Sequence, residues 1–427
     1  MVFRRTATAE RDFSAHARLV LVAISTRERR SASASRAALL ANQVSLSALT
    51  SYVLGQRVSL LVPARLEELG LGTLARELEQ QVAARRQQAL ADAKVRCVLT
   101  DGVVRRLEEV GIPAISLKGV DLSHRLYGNS ASRESRDIDV LVLPQHLERA
   151  AALAQREFSY APPLDAVGPD GWPLLHYRME NPHGWPSLEL HWRVHWYECA
   201  SGTHMLRRSA MTAGQRVMTP VDELASLLLF YARDGFVGIR DLAAIAAWWD
   251  RHGTALSPSG LADFANAFPQ LVPALRASAA VAAELAGLPL APLKLDVHRA
   301  TLRERRAAQL ADPQPGSDTS RLLADVALVD LLLAPTLDLR AFARRQMLLD
   351  ATFTRTLNAA PHGRGGPERR VLWDRVLWRA ARMTSALATA RPSGLDSLRE
   401  PPAEHESALT RAVTSHSASN RVTRAGT

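Results

Sequence analysis

Two aspartates one residue apart, Asp137 and Asp139, open an apolar run in "SRDIDVLV" (135–142). A strand sends successive side chains to opposite faces, so both carboxylates share one face and Ile138 and Val140 share the other. Their Cα atoms are then about 6.5 to 7 Å apart. Burying one carboxylate is costly, and burying two that repel each other costs more. Solvent, a basic side chain or a metal ion must offset that charge. Carboxylates at this spacing can hold one or two Mg²⁺ ions, with Mn²⁺ as a substitute. Two such ions about 3.5 to 4 Å apart can hold the attacking and leaving oxygens of a phosphoryl displacement. A third carboxylate from a neighbouring strand would complete the set. Glu189 in "SLELHW" is the candidate, with Leu188 and Leu190 pointing the other way. Taken alone, D-x-D is also the pattern of two solvated residues at a strand start.

The elements around these acids form a short series. "IPAISLKG" (112–119) reads as a strand ending in glycine, and "VDLSHRLYG" (120–128) as one or two helical turns. "NSASRESR" is a polar loop, "DIDVLVLP" (137–144) a strand ended by proline, and "QHLERAAALAQREF" (145–158) an amphipathic helix. "PSLELHWRVHW" (186–196) alternates as a further strand. Strand, short helix, strand, helix, strand predicts a small α/β or α+β core over residues 112–200. Helical periodicity precedes it over 36–111 and follows it over 219–390, where Thr219-Pro220 with Asp222-Glu223 marks a helix start. Residues 1–35 are Arg/Ser/Ala-rich and read as a flexible leader. Residues 391–427 lose apolar content and read as a disordered tail.

The 427 residues are 47% hydrophobic and 22% charged, which is ordinary for a globular protein. No apolar run of membrane-spanning length and no secretion signal appear, so a cytoplasmic protein without a membrane span is expected. Cys97 and Cys199 lack disulfide or metal spacing and read as small buried hydrophobes. The net charge of +10 admits nucleic acid or phosphate partners. Nucleic acid is not favoured, because the excess is arginine in an Ala/Arg-rich chain, the product expected of GC-rich coding. Only Lys94, Lys118 and Lys294 are lysines, so Lys118 just upstream of the aspartates stands out.

With those parts in order, "LKGVDLSHRLYGNSASRESRDIDVLV" resembles the signature of the uncharacterised bacterial nucleotidyltransferases of the DNA polymerase β-like superfamily. The likeness extends to "ELHW" and, more weakly, to the helical arms, covering about residues 36–390. It implies an α+β fold: a small mixed-sheet nucleotidyltransferase core flanked by N- and C-terminal helical regions. It implies that Asp137 and Asp139 are the catalytic metal-binding pair. Glu189 would be the third carboxylate, orienting or deprotonating an acceptor hydroxyl. Gly119 would let the backbone approach the triphosphate at a helix start, and Lys118 and Arg133 would neutralise phosphate charge. The wider superfamily carries a Gly-Ser pair before its aspartates, whereas Gly119 is followed here by Val120. Related helical arms often carry histidine where this chain has Tyr231.

His191 and His195 fall on the face of Glu189. His191 could touch a nucleotide phosphate, or hold Glu189 in place, and a zinc site from His191, His195 and Glu189 is a remote alternative. The tryptophans read mainly as packing. "ERRVLWDRVLWRAARM" (368–383) reads as a packed helix with a solvated Arg face. No P-loop, Rossmann or G-x-S-x-G motif occurs. The expected activity is transfer of an NMP from an NTP to a small-molecule, peptide or protein acceptor, with pyrophosphate released. The alternatives are a catalytically silent nucleotide- or partner-binding protein and, last, an RNA-directed nucleotidyltransferase.

Overall fold

A computed structural model describes residues 13–163, 175–212, 214–313 and 319–335. It is a mixed α+β protein, as the sequence pattern predicts, in which helices flank a small mixed sheet. The strands are β1 (Ala114–Ser116), β2 (Asp137–Val142), β3 (His176–Met179) and β4 (Ser187–His191), in the order β1-β2-β4-β3. β2 and β4 are parallel, while β1 and β3 pair antiparallel on either side. A separate hairpin joins β5 (Ala210–Thr212) to β6 (Gln215–Val217).

The alternation read from the sequence sorts the two faces. Ile138, Val140 and Val142 of β2 bury with Leu188 and Leu190 of β4 and Met179 of β3. They pack on Val103 and Leu107 of the long Gly72–Glu109 helix and on Leu147 and Ala151 of the Leu147–Phe158 helix. Each such aliphatic side chain contributes roughly 1.5–3 kcal/mol by leaving water. The opposite face carries Asp139, Glu189 and His191. Beside them Ile115 and Leu141 join a larger core shared with the flanking helices.

Several boundaries differ from those the sequence predicts. The strand expected over 186–196 ends at His191: Trp192 still packs with Leu188 and Leu190, but Val194 joins the larger core with Ile115 and Leu141. β3 was not anticipated: "HYRM" is short and polar, and it forms because the β4 edge offers unpaired backbone. The flexible leader expected over 1–35 gives way to the Ala15–Ile24 helix, whose Leu19, Val20 and Ala23 are fully buried. Its sequence "AHARLVLVAI" is apolar on most sides and fills an interior position, a pattern obscured by its Arg/Ser-rich flanks. Cys97 is half-buried and Cys199 exposed, so neither is the core residue expected.

The helical arm after the core includes Pro220–Arg233, Arg240–His252, Val272–Ala286 and Thr319–Leu333. At its start the Thr219 hydroxyl accepts a hydrogen bond from the Asp222 amide at 3.2 Å, with Pro220 in the first turn. The part of the expected 219–390 helical region beyond residue 335, and the tail over 391–427, lie outside the described residues. Among the described residues no single helix is long and apolar enough to cross a membrane.

Candidate functional site

Asp137, Asp139 and Glu189 come together as the strand pattern predicts. Parallel pairing sets Asp139 directly opposite Glu189, and Asp137 lies two residues before Asp139 on the same face. One carboxylate oxygen from each of the three lies within 4.8 Å of the others. Asp137 is half-buried, and its carboxylate accepts a hydrogen bond from the Ser135 hydroxyl at 2.7 Å. Asp139 is completely enclosed: its Oδ1 faces the basic groups described next, and its Oδ2 is buried with no hydrogen-bond partner among the described residues.

Lys118 and His191 counter this buried negative charge. The Lys118 ammonium is 3.5 Å from Asp139 Oδ1 and lies 4.8 Å over the Phe230 ring. His191 Nε2 sits between the two acids, 3.0 Å from Asp139 Oδ1 and 3.4 Å from Glu189 Oε2. Burial pushes the Asp139 carboxyl up, but Lys118 and His191 outweigh it and hold it below the ordinary aspartate value. Burial opposes ionisation of Glu189 too, yet His176 and His191 keep it below the usual carboxylate range. For His191, burial favours the neutral ring, whereas hydrogen bonds to Asp139 and Glu189 win and raise its pKa.

The other predicted phosphate ligands are placed differently. Gly119 caps the Val120–Tyr127 helix at φ 89°, in the region that disfavours side chains. Arg133 is buried and paired with Asp241, which the Arg240–His252 helix supplies. That contact holds the Asp241 carboxyl well down against the cost of burial. The loop read as merely polar is in fact interior from Ala131 to Ser135. Glu134 accepts hydrogen bonds from the Ser59 hydroxyl at 2.6 Å and from Arg85 Nε at 3.0 Å, both on the N-terminal arm. Both helical arms therefore grip the loop that feeds Asp137.

Sequence reasoning missed four contributors. Ser135 brings a hydroxyl near Gly119, 3.9 Å from where a Cβ would stand, and donates it to Asp137. Its signal was its position two residues before Asp137. His176 faces His191 across β3 and β4, and burial pushes its imidazole down to about 4. Arg233 stacks 4.5 Å from the Phe230 ring centroid; burial opposes its charge, but its pairing with Asp234, helped by Glu189 and Asp139, raises its pKa. Arg57 stands at φ 55°, rare for a side-chain-bearing residue, and burial with nearby Arg240 and Arg136 brings its pKa down to about 10. His195 leaves the site: it bridges to Glu198 and packs its ring 4.7 Å from Tyr197.

Three oxygens from separate backbone positions, one of them on a fully buried carboxylate whose Oδ2 has no hydrogen-bond partner among the described residues, suit a hard divalent cation. The comparisons with known proteins point the same way. The family model described as uncharacterised nucleotidyltransferase matches residues 42–287, more than half of the chain. The chain therefore belongs to that family. No curated protein and no solved structure matches it.

Proposed function

We propose that this member of the uncharacterised nucleotidyltransferase family moves an NMP from an NTP to an acceptor hydroxyl or phosphate and releases pyrophosphate. The observation that carries the reading is the convergence of Asp137, Asp139 and Glu189, with Asp139 Oδ2 buried and without a hydrogen-bond partner among the described residues. Bound there, Mg²⁺ or Mn²⁺ would neutralise phosphate charge and polarise the reacting oxygens. An acceptor oxygen bonds to the α-phosphorus, the bond from that phosphorus to pyrophosphate breaks, and the acceptor proton leaves to water.

The chain's own residues do the rest. Glu189 orients the acceptor hydroxyl by accepting its hydrogen bond; its lowered pKa makes it a weak base and favours positioning over proton abstraction. Gly119, at the amino end of an eight-residue helix, presents backbone to the phosphates. Lys118 and His191 hold Asp139 ionised and in place. Arg133 supports the loop through Asp241. Arg136 and Arg240 lie near Arg57, and the three receive the polyphosphate.

Thermal unfolding with each of the four NTPs, with and without Mg²⁺, tests this. A ligand that binds only the folded state raises apparent stability by mass action. Wild type should be stabilised by NTP only with Mg²⁺, and Asp137→Asn should lose both the shift and NMP transfer while staying folded. Mg²⁺-dependent transfer retained in Asp137→Asn would overturn the assignment.

A further inference from the structure

We propose a second cation site beside the first, formed by His176, His191 and Glu189 and suited to a nitrogen-preferring transition metal such as Zn²⁺ or Co²⁺. It does not depend on the nucleotidyl-transfer reading. Antiparallel pairing of β3 with β4 sets His176 directly opposite His191, and Glu189 lies two residues before His191 on the same face. Glu189 Oε2 is 3.7 Å from His176 Nδ1 and 3.4 Å from His191 Nε2. One donor atom from each residue lies within 4.8 Å of the other two. Ligands at bond lengths of about 2.1 Å on a tetrahedral ion stand roughly 3.4 Å apart, so the three donors need little movement to close on one ion.

A second observation is independent of this clustering. His176 Nδ1 is buried with no hydrogen-bond partner among the described residues, and so is Oδ2 of the fully enclosed Asp139. Buried polar atoms are normally satisfied, and the His176 nitrogen lies 3.7 Å from Glu189 Oε2, facing the cluster. The imidazoles stand 4.7 Å apart at 53°, tilted rather than stacked. About a quarter of the His176 side chain remains exposed, which leaves an entry route.

Ligand chemistry separates the two sites. Asp137, Asp139 and Glu189 offer oxygen only, which suits Mg²⁺; His176 and His191 add imidazole nitrogen, which suits Zn²⁺ and its neighbours. Glu189 belongs to both sets and can bridge two unlike cations. The β3 edge strand thus becomes the element that supplies the second metal's outer ligand.

Co²⁺ added to the full-length, metal-stripped protein is the probe, because its visible ligand-field absorption reports coordination directly. Wild type should take up Co²⁺ with such a band, and Zn²⁺ should displace it. His176→Gln should weaken Co²⁺ by about 100-fold or more, since even indirect partners of a metal ligand are worth 10–100-fold. Asp137→Asn should keep the band. His176→Asn, with circular dichroism on all variants, guards against a folding defect. No band in folded wild type, or a band indifferent to both His176 variants, would overturn the proposal. A His176-dependent band without any Mg²⁺–NTP stabilisation would instead remove the nucleotidyl-transfer reading and leave this site standing.

Discussion

Asp139 and Glu189 face each other in register on the parallel strands β2 and β4. Like charges directly opposite in a sheet repel, and here one of them is fully enclosed. The pairing holds because His191 Nε2 reaches both acids, at 3.0 and 3.4 Å, and Lys118 approaches Asp139 at 3.5 Å. Register is the decisive variable: a one-residue slip would carry the acids into the aliphatic face with Ile138 and Leu188.

Asp139 is predicted to matter for stability far more than Asp137. Asp139→Asn leaves the Lys118 ammonium and the His191 ring without their shared anion in a buried setting, a loss of about 3 kcal/mol or more. Asp137 is half-buried and its main partner is a neutral hydroxyl, so Asp137→Asn should stay within about 1 kcal/mol of wild type. Urea unfolding of both variants measures the difference. Equal losses would mean that Asp139 does not anchor the two basic groups.

The His191 contribution should be pH-dependent. Its folded-state pKa is raised, so the folded protein holds the imidazole proton more tightly than the unfolded chain. That stabilisation is complete below the unfolded value, about 6.5, and fades as pH rises through the folded value. His191→Gln should therefore cost more near about pH 6 than near about pH 9. Unfolding curves at the two pH values decide it, and a penalty that grows with pH would reverse the assignment of charge.

The Arg133–Asp241 pair should show the opposite sign. Asp241 titrates below its ordinary value when folded, so its contribution is present above about pH 4 and is lost as acid takes the pH down through the folded value. Asp241→Asn strands a buried guanidinium and should cost about 3–5 kcal/mol at neutral pH. The gap to wild type should shrink on acidification. It should also loosen the loop before Asp137, read as faster hydrogen exchange at Arg133–Ser135. A pH-independent gap would show that the pair is not ionic in the folded state.

The legible parts of this site were those governed by local periodicity. Alternation in "DIDVLV" and "SLELH" put three acids on one face, and parallel pairing of the strands did the rest. His191 was read as holding Glu189 or touching phosphate, and it lies between Asp139 and Glu189. What escaped was long-range and polar. Nothing local announces that Arg133 will meet Asp241, 108 positions away, or that Glu134 will be claimed by Ser59 and Arg85. A run such as "NSASRES" looks solvated because its composition is polar, yet each charge finds a partner on a helical arm and the loop becomes interior. His176 was invisible because β3 is too short for its alternation to register, and its role is fixed only by the residue across from it.

Arg57 offers the sharpest test of the phosphate-binding surface, because stability and binding should move apart. It holds a left-handed backbone at φ 55°, which glycine adopts without the penalty a side chain incurs. It also stands near Arg136 and Arg240, whose like charges help to lower its pKa. Gln56 next to it accepts a hydrogen bond from the Ile239 amide at 3.1 Å, and Arg240 reaches the Glu134 carbonyl at 3.1 Å, which ties the segments around Arg57, Arg240 and Arg136 together. Arg57→Gly therefore relieves both backbone strain and repulsion and should raise stability by up to about 1 kcal/mol. Losing a charge-assisted contact of about 1.5–3 kcal/mol should weaken Mg²⁺–NTP binding by about 10- to 100-fold. Denaturant unfolding and NTP titration of the same sample read the two effects separately. Unchanged NTP affinity in a stabilised variant would take Arg57 out of the polyphosphate surface and leave Arg136 and Arg240 to carry it.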